Sequence, residues 1–283
     1  MGDRADPVFV TGANSGIGLA STLRFAERGW DTWGTVRSSA KAEVLTEAAD
    51  EAGVADRVHP VVLDVSDHDA VVDRWPELPD FYAVVNNAGY SELGAVEEVS
   101  AAEARRQLDV NLIAPAVVSS CALPAMRERG AGRIVMISSI AGRAAILPLN
   151  GWYHASKFGL EALSDVLRME VASFGVRVSV IEPGFFKTAI EDRAKARAAE
   201  RELDDDSRYR RSYARMQQVA GVVTSLAPPP DVVARTVVSA VESRRPRHRY
   251  LVGADALGIA AANPLVPGQV RDTLARLVAD LRQ

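Results

Sequence analysis

A chain of 283 residues with 48% apolar and 25% charged residues has the balance of a globular protein, able to bury one large core or two small ones. Its formal net charge of -4, with basic residues spread along the chain, offers no long-range attraction for nucleic acid or anionic membranes and argues against both as partners. The single cysteine, Cys121, excludes an internal disulfide and forms no metal cluster, so it is expected as a small core residue in a reducing compartment.

The opening MGDRADPVFV is acidic where a signal peptide is basic and then apolar, and Asp6 stands where a myristoylation signal needs serine or threonine. No apolar run is expected to reach the roughly 18 residues of a membrane span. The expectation is a cytoplasmic protein with no membrane span and no metal.

Short β-branched runs follow at 7–10 (PVFV), 31–36 (DTWGTV), 57–63 (RVHPVVL), 82–86 (YAVVN), 133–138 (RIVMIS) and 177–182 (RVSVIE), with helix-forming stretches between them. Nearly all-apolar strands alternating with helices imply right-handed crossovers and a parallel sheet covered on both faces. The first 190 residues carry no repeat or long linker, and the chain is expected as one domain over 1–283. Residues 190–228 are charged and helix-favouring, and read as a helical lid inserted over a substrate pocket. LAPPPD then marks a boundary before a helix at about 230–243. A C-terminal extension, 253–283, spaces Val270, Leu274, Leu277 and Leu281 on one helical face, expected to dock on the protein itself.

The stretch VFVTGANSGIGLA runs from the first strand through glycines into a helix, where backbone N–H groups attract a pyrophosphate and only glycine lets the backbone come close. Gly12 is assigned to the tight turn, Gly16 to close approach and Gly18 to helix–strand packing, with Asn14, Ser15 and Ile17 completing the cradle. The spacing G-x-x-x-G-x-G departs from the general dinucleotide pattern. After the second strand no acid is placed for a ribose 2'-hydroxyl. Arg37 stands there instead, suited to a 2'-phosphate, so NADP(H) is preferred and NAD(H) possible. Asp64 and Val65 end the third strand, where Asp64 can hold the adenine amino group or cap the next helix.

TGANSGIG, NNAG at 86–89, SS at 138–139, YHASK at 153–157 and EPGFFKT at 182–188 together resemble the short-chain dehydrogenase/reductase family, in its order and over residues 7 to 190. WYHASKF and IEPGFFKT most resemble its hydroxysteroid- and retinol-dehydrogenase-like branch. The fold this implies is α/β, a Rossmann-like doubly wound parallel sheet of about seven strands.

Tyr153 and Lys157 share one helix face at i,i+4, so both can meet one ligand. Lowering a phenol's pKa by three units takes roughly 4 kcal/mol of preferential phenolate stabilisation, which a cation at Lys157 can help supply. The resemblance implies that Tyr153 transfers the proton, that Lys157 also holds the nicotinamide ribose, and that Ser139 orients the substrate oxygen, with Ser138 its rival. Ser139 lies 14 positions before Tyr153, one more than the family commonly has, so the loop between them carries an extra residue. Asn111 matches the fourth member, holding a relay water. By the same resemblance Asn87, Ala88 and Gly89 line the adenosine side, and Pro183, Gly184, Phe186 and Thr188 face the nicotinamide. His154 is read as a rim or packing residue.

The expected activity interconverts a carbonyl and an alcohol on a small, lipophilic substrate. Phe185, Phe186, Leu147, Leu149 and Trp152 are candidates for its pocket, or for core. A cofactor-binding sensor without turnover and a nucleotide-sugar epimerase are the rival readings. Apolar residues on two sides of the Tyr153 helix (Leu160, Leu163, Leu167 and Val171; Phe158, Ala162 and Val166) predict a homodimer or homotetramer.

Overall fold

A computed structural model describes residues 6–187, 196–197, 199–203 and 206–281. Its strands are β1 (Val8–Val10), β2 (Thr32–Val36), β3 (Val58–Val62), β4 (Ala83–Asn86), β5 (Gly132–Ile137), β6 (Val176–Pro183) and β7 (Arg249–Val252). They form one parallel sheet in the order β3-β2-β1-β4-β5-β6-β7. The six strands expected from the sequence are all present. The seventh, RYLV, was not among them.

Two-residue periodicity sorts the strand side chains onto two buried faces. Val8, Val10, Val85, Val135 and Ile137 join Phe25, Trp30, Val233 and Val237 on one side; Phe9, Val84, Ile134 and Met136 join Val118, Met126 and Leu160 on the other. The helices bringing the first set are α1 (Gly16–Glu27) and α8 (Asp231–Glu242). Those bringing the second are α5 (Ala114–Arg129) and α6 (Gly151–Val171). The strand order reverses between β1 and β4, and a crevice opens there at the carboxyl ends of the strands, the usual place for a ligand in this architecture.

Helix α4 (Ala101–Leu108) opens with a capping box between Ser100 and Glu103 and runs into α5 through a π-helical turn, Asp109–Ile113. The whole rod, Ala101–Arg129, is long and apolar enough to cross a membrane by length and composition only, a test that the buried core helix of a soluble fold also passes. Its apolarity has another use here, since Val118, Ala122, Leu123 and Met126 pack on the sheet. Cys121 sits half-buried on the flank of that core, and burial pushes its thiol pKa up.

The C-terminal expectation is corrected. Helix α10 (Gly268–Val278) leaves Val270, Leu274 and Leu277 exposed, at 49, 56 and 44%. Docking is confined to the turn after this helix, where Ala279 and Leu281 pack on Tyr213 of α7 (Arg210–Leu226).

Candidate active site

The glycine turn owes its shape to positions where a side chain cannot sit. Gly12 and Gly16 adopt φ of +67° and +54°, a region open chiefly to glycine. A Cβ on Gly18 would lie 2.1 Å from the Gly12 carbonyl oxygen and 2.4 Å from Asn87 Nδ2. Asn87 is the knot of this region, its Nδ2 donating to the carbonyls of Thr11 at 2.9 Å and Gly12 at 3.2 Å. Thr11 Oγ1 in turn accepts the N–H groups of Asn87 and Ala88, each at 2.9 Å. The first-turn N–H groups of α1, which no helix carbonyl can satisfy, have no side-chain cap from Ser15. They are left for an anion, and the cradle fits a dinucleotide pyrophosphate.

Arg37, Asp64, Val65, Asn14, Ala88 and Gly89 line the same cavity, of about 750 Å³. Asp64 does not cap the helix after it. Asp67 does, accepting from the Ala70 N–H at the start of α3 (His68–Arg74), while Asp64 Oδ1 accepts from the Ser66 N–H and hydroxyl at 3.0 and 2.8 Å.

Tyr153 and Lys157 face this cavity from the first turns of α6, with Lys157 Nζ 5.8 Å from the Tyr153 ring centre. Lys157 is 3% exposed and donates to the Ile137 carbonyl at 2.9 Å. Burial pulls its pKa down to about 8, opposed by the charge of Glu161 one turn on. Ser139 opens a short 3-10 turn and accepts the Ala141 N–H at 3.1 Å, its side chain half-buried on the cavity wall. Ser138 is 4% exposed, with its Oγ toward Gly142 and Glu161, which favours Ser139. In the loop between Ser139 and Tyr153, Leu149 adopts a φ of +61°, uncommon for a side-chain-bearing residue. Asn111 lies in the π-turn, with Nδ2 donating to the Tyr90 carbonyl at 2.9 Å and to Ser156 Oγ at 3.0 Å, and Oδ1 accepting the Tyr90 N–H at 3.0 Å. It ties the loop after β4 to α6, and π-turns often mark such sites.

The short chain dehydrogenase family model matches residues 6–199. Retinol dehydrogenase 5 from Homo sapiens is 34% identical over 268 residues, covering 88% of this chain and 81% of its own. The NADPH-dependent 3-dehydrocapnine reductase of Ornithobacterium rhinotracheale is 30% identical over 275 residues, 94% of each chain. A short chain dehydrogenase/reductase from Burkholderia phymatum, solved in complex with NAD, matches over 92% of each chain with a TM-score of 0.77 and 26% identity. The chain belongs to the short-chain dehydrogenase family. It is an NAD(P)-dependent oxidoreductase close to the retinol-dehydrogenase-like branch.

Beyond this candidate cluster, the dehydrogenase holds its Pro183-Gly184 turn from a distance. Asp255, at the start of α9 (Ala254–Ala262), accepts the Phe185 N–H at 2.6 Å, and a Cβ on Gly184 would lie 2.1 Å from its Oδ2. The sequence reading missed Asp255; an acid two residues after Gly253 in the first turn of a helix was the available signal. Phe186 is corrected in emphasis: at 2% exposure it belongs to the core beside Val233 and Val237, although its edge borders the cavity. Thr188 lies outside the described residues. Phe185 and Leu147 line the cavity as anticipated, whereas Leu149 packs in a small core with Tyr213 and Met216. The described part of the 190–228 segment adds Met216, Val219 and Val223 of α7 to the wall, an apolar face that the charged sequence around it had hidden.

Proposed function

We propose that this dehydrogenase interconverts a carbonyl and an alcohol on a lipophilic substrate, with NADP(H) preferred over NAD(H). The observation that carries the reading is Tyr153, Lys157 and Ser139 facing one cavity that is continuous with the glycine cradle and walled by α7. The nicotinamide supplies or accepts the hydride. The chain's own task is proton handling and orientation. Ser139 Oγ, with one lone pair taken by the Ala141 N–H, keeps its O–H for the substrate oxygen. Tyr153 gives or takes the proton at that oxygen, and the buried Lys157 ammonium favours the phenolate. Asn111 holds the Tyr90 loop against α6 and supports the relay. Residues 190–228 act as the lid.

Reduction of all-trans-retinal, a ketosteroid and a short aliphatic ketone with NADPH, followed at the nicotinamide absorbance band, tests this reading. Turnover of the apolar substrates is expected, and its absence with every carbonyl offered would sink it. The cofactor preference rests on Arg37, exposed at the end of β2 beside the cavity. Arg37→Ala is expected to weaken NADPH about tenfold and NADH less than twofold, since charge-assisted bonds to a phosphate are worth about 1.5–3 kcal/mol and exposure discounts them. Fluorescence titration with both nucleotides checks it, and equal losses would remove the 2'-phosphate assignment.

Self-association belongs to the same proposal. Leu160 and Val171 are buried in the core, and Leu163 and Leu167 pack against it, but Phe158, Val166 and Met169 of α6 stay 43, 48 and 62% exposed. An apolar stripe of that kind suits pairing with the same helix of a second copy.

A further inference from the structure

His154 follows the reactive tyrosine, yet its ring points away from it into the loop that carries Ser139. The residue is 6% exposed. Its Nδ1 lies 2.8 Å from the Ala141 carbonyl, and its Nε2 lies 3.3 Å from the Leu147 N. These partners settle the tautomer, because a carbonyl can only accept and an N–H can only donate. Nδ1 therefore carries the proton and Nε2 offers its lone pair. Burial pushes the imidazole pKa down, which keeps the ring neutral, the form this arrangement requires.

The two backbone groups flank the loop that holds Arg143 and Ile146, within the stretch made one residue longer than the family commonly has. The two bonds to one imidazole tie Ala141 to Leu147 and so restrict the conformations open to the loop between them. Ala141 has a second contact: its N–H donates to Ser139 Oγ at 3.1 Å. One residue thus receives the imidazole on its carbonyl and presents its N–H to the serine.

We propose that His154 is a positioning residue for Ser139, holding Ala141 so that its N–H pins the serine oxygen and the hydroxyl proton stays aimed at the substrate. This rests on the reading of Ser139 as the group that orients the substrate oxygen. The pinned serine has a defined acceptor role toward the backbone and a free donor for the reacting oxygen. Without the clamp, Ala141 moves with its loop, and the hydroxyl samples orientations that do not meet the substrate.

The test compares His154→Phe, which keeps ring volume without polar atoms, with His154→Asn, whose Nδ2 can replace the Nδ1 donor. Each is made alone and on a Ser139→Ala background. Two quantities are read: amide hydrogen exchange over 139–149 by mass spectrometry, and steady-state reduction of all-trans-retinal by NADPH. His154→Phe is expected to raise exchange over 139–149 and to lower kcat about tenfold with KM within about twofold, the pattern of an interaction lost in the transition state. His154→Asn is expected to recover kcat to within about threefold. On the Ser139→Ala background His154→Phe costs nothing further, because the group it positions is gone. Losses that multiply across the two positions, or exchange unchanged in His154→Phe, overturn the proposal. Full activity in Ser139→Ala alone would instead remove the reading of Ser139, so the two failures are distinguishable. If His154→Phe does not fold, His154→Leu, which likewise has no donor for the Ala141 carbonyl, replaces it.

Discussion

Tyr153→Phe is expected to lower kcat by about a thousandfold, within the range by which a positioned acid or base speeds a reaction. The lost atom is the phenol oxygen alone. The ring, its place on the first turn of α6 and the Lys157 cation 5.8 Å from its centre all remain. NADPH affinity should therefore stay within about threefold, a loss confined to kcat. Steady-state kinetics and a fluorescence titration on the same preparation read both numbers. A variant that keeps a tenth of its turnover would show that the proton travels by another route.

In the proposed relay the lysine sets the pH profile. With a pKa of about 8 in the free protein, Lys157 is a cation below that pH and neutral above it. Only the cation favours the phenolate, so kcat/KM, which reports the free enzyme, should fall as pH rises through about 8. Replacing Lys157 by methionine should remove that limb along with most of the activity.

Gly18→Ala is the second large effect, and it acts through packing. The new methyl would meet a backbone oxygen at 2.1 Å and the Asn87 amide at 2.4 Å, and that amide already spans two carbonyls of the turn. Neither neighbour is the loose end of a flexible side chain, so β1, α1 and the loop after β4 must separate. Overpacking of this kind costs about 1–3 kcal/mol and displaces the N–H groups of the cradle. NADPH binding is expected to weaken on the order of a hundredfold, with the thermal midpoint lowered by several degrees. Gly258→Ala in α9, where a Cβ meets nothing within 4 Å, is the control and should leave binding unchanged. Equal affinity in the two variants would dissociate the cradle from this contact.

The sheet was legible because buried parallel strands must be apolar on both faces, and six runs in this chain satisfy that demand. The seventh escaped because RYLV is an edge strand, with only Val252 buried and an arginine-rich stretch before it. The catalytic candidates could be named because their motifs sit at strand ends in a fixed order, and the structure gathers Ser139, Tyr153 and Lys157 around one cavity. What could not be read was long-range polar pairing. Even a local choice such as Asp64 capping the next helix went the other way, to Asp67, with Asp64 bonding Ser66. His154 gives no sign of a role in the sequence because a helix turns it away from Tyr153, and the loop it meets on that other side depends on tertiary folding. The π-turn at Asn111 has no signature in residue type at all. On the last helix, a clean apolar stripe predicted docking that Val270, Leu274 and Leu277 do not make, since periodicity shows which residues share a face and not what covers it.

The bond from Phe185 to Asp255 reaches past the region that defines the family, which stops at residue 199. Grafting a relative's tail onto this catalytic half would succeed only if the incoming tail supplied an acid at that position. Gly184 and Asp255 should thus be inherited as a pair, the missing side chain of one making room for the carboxylate of the other.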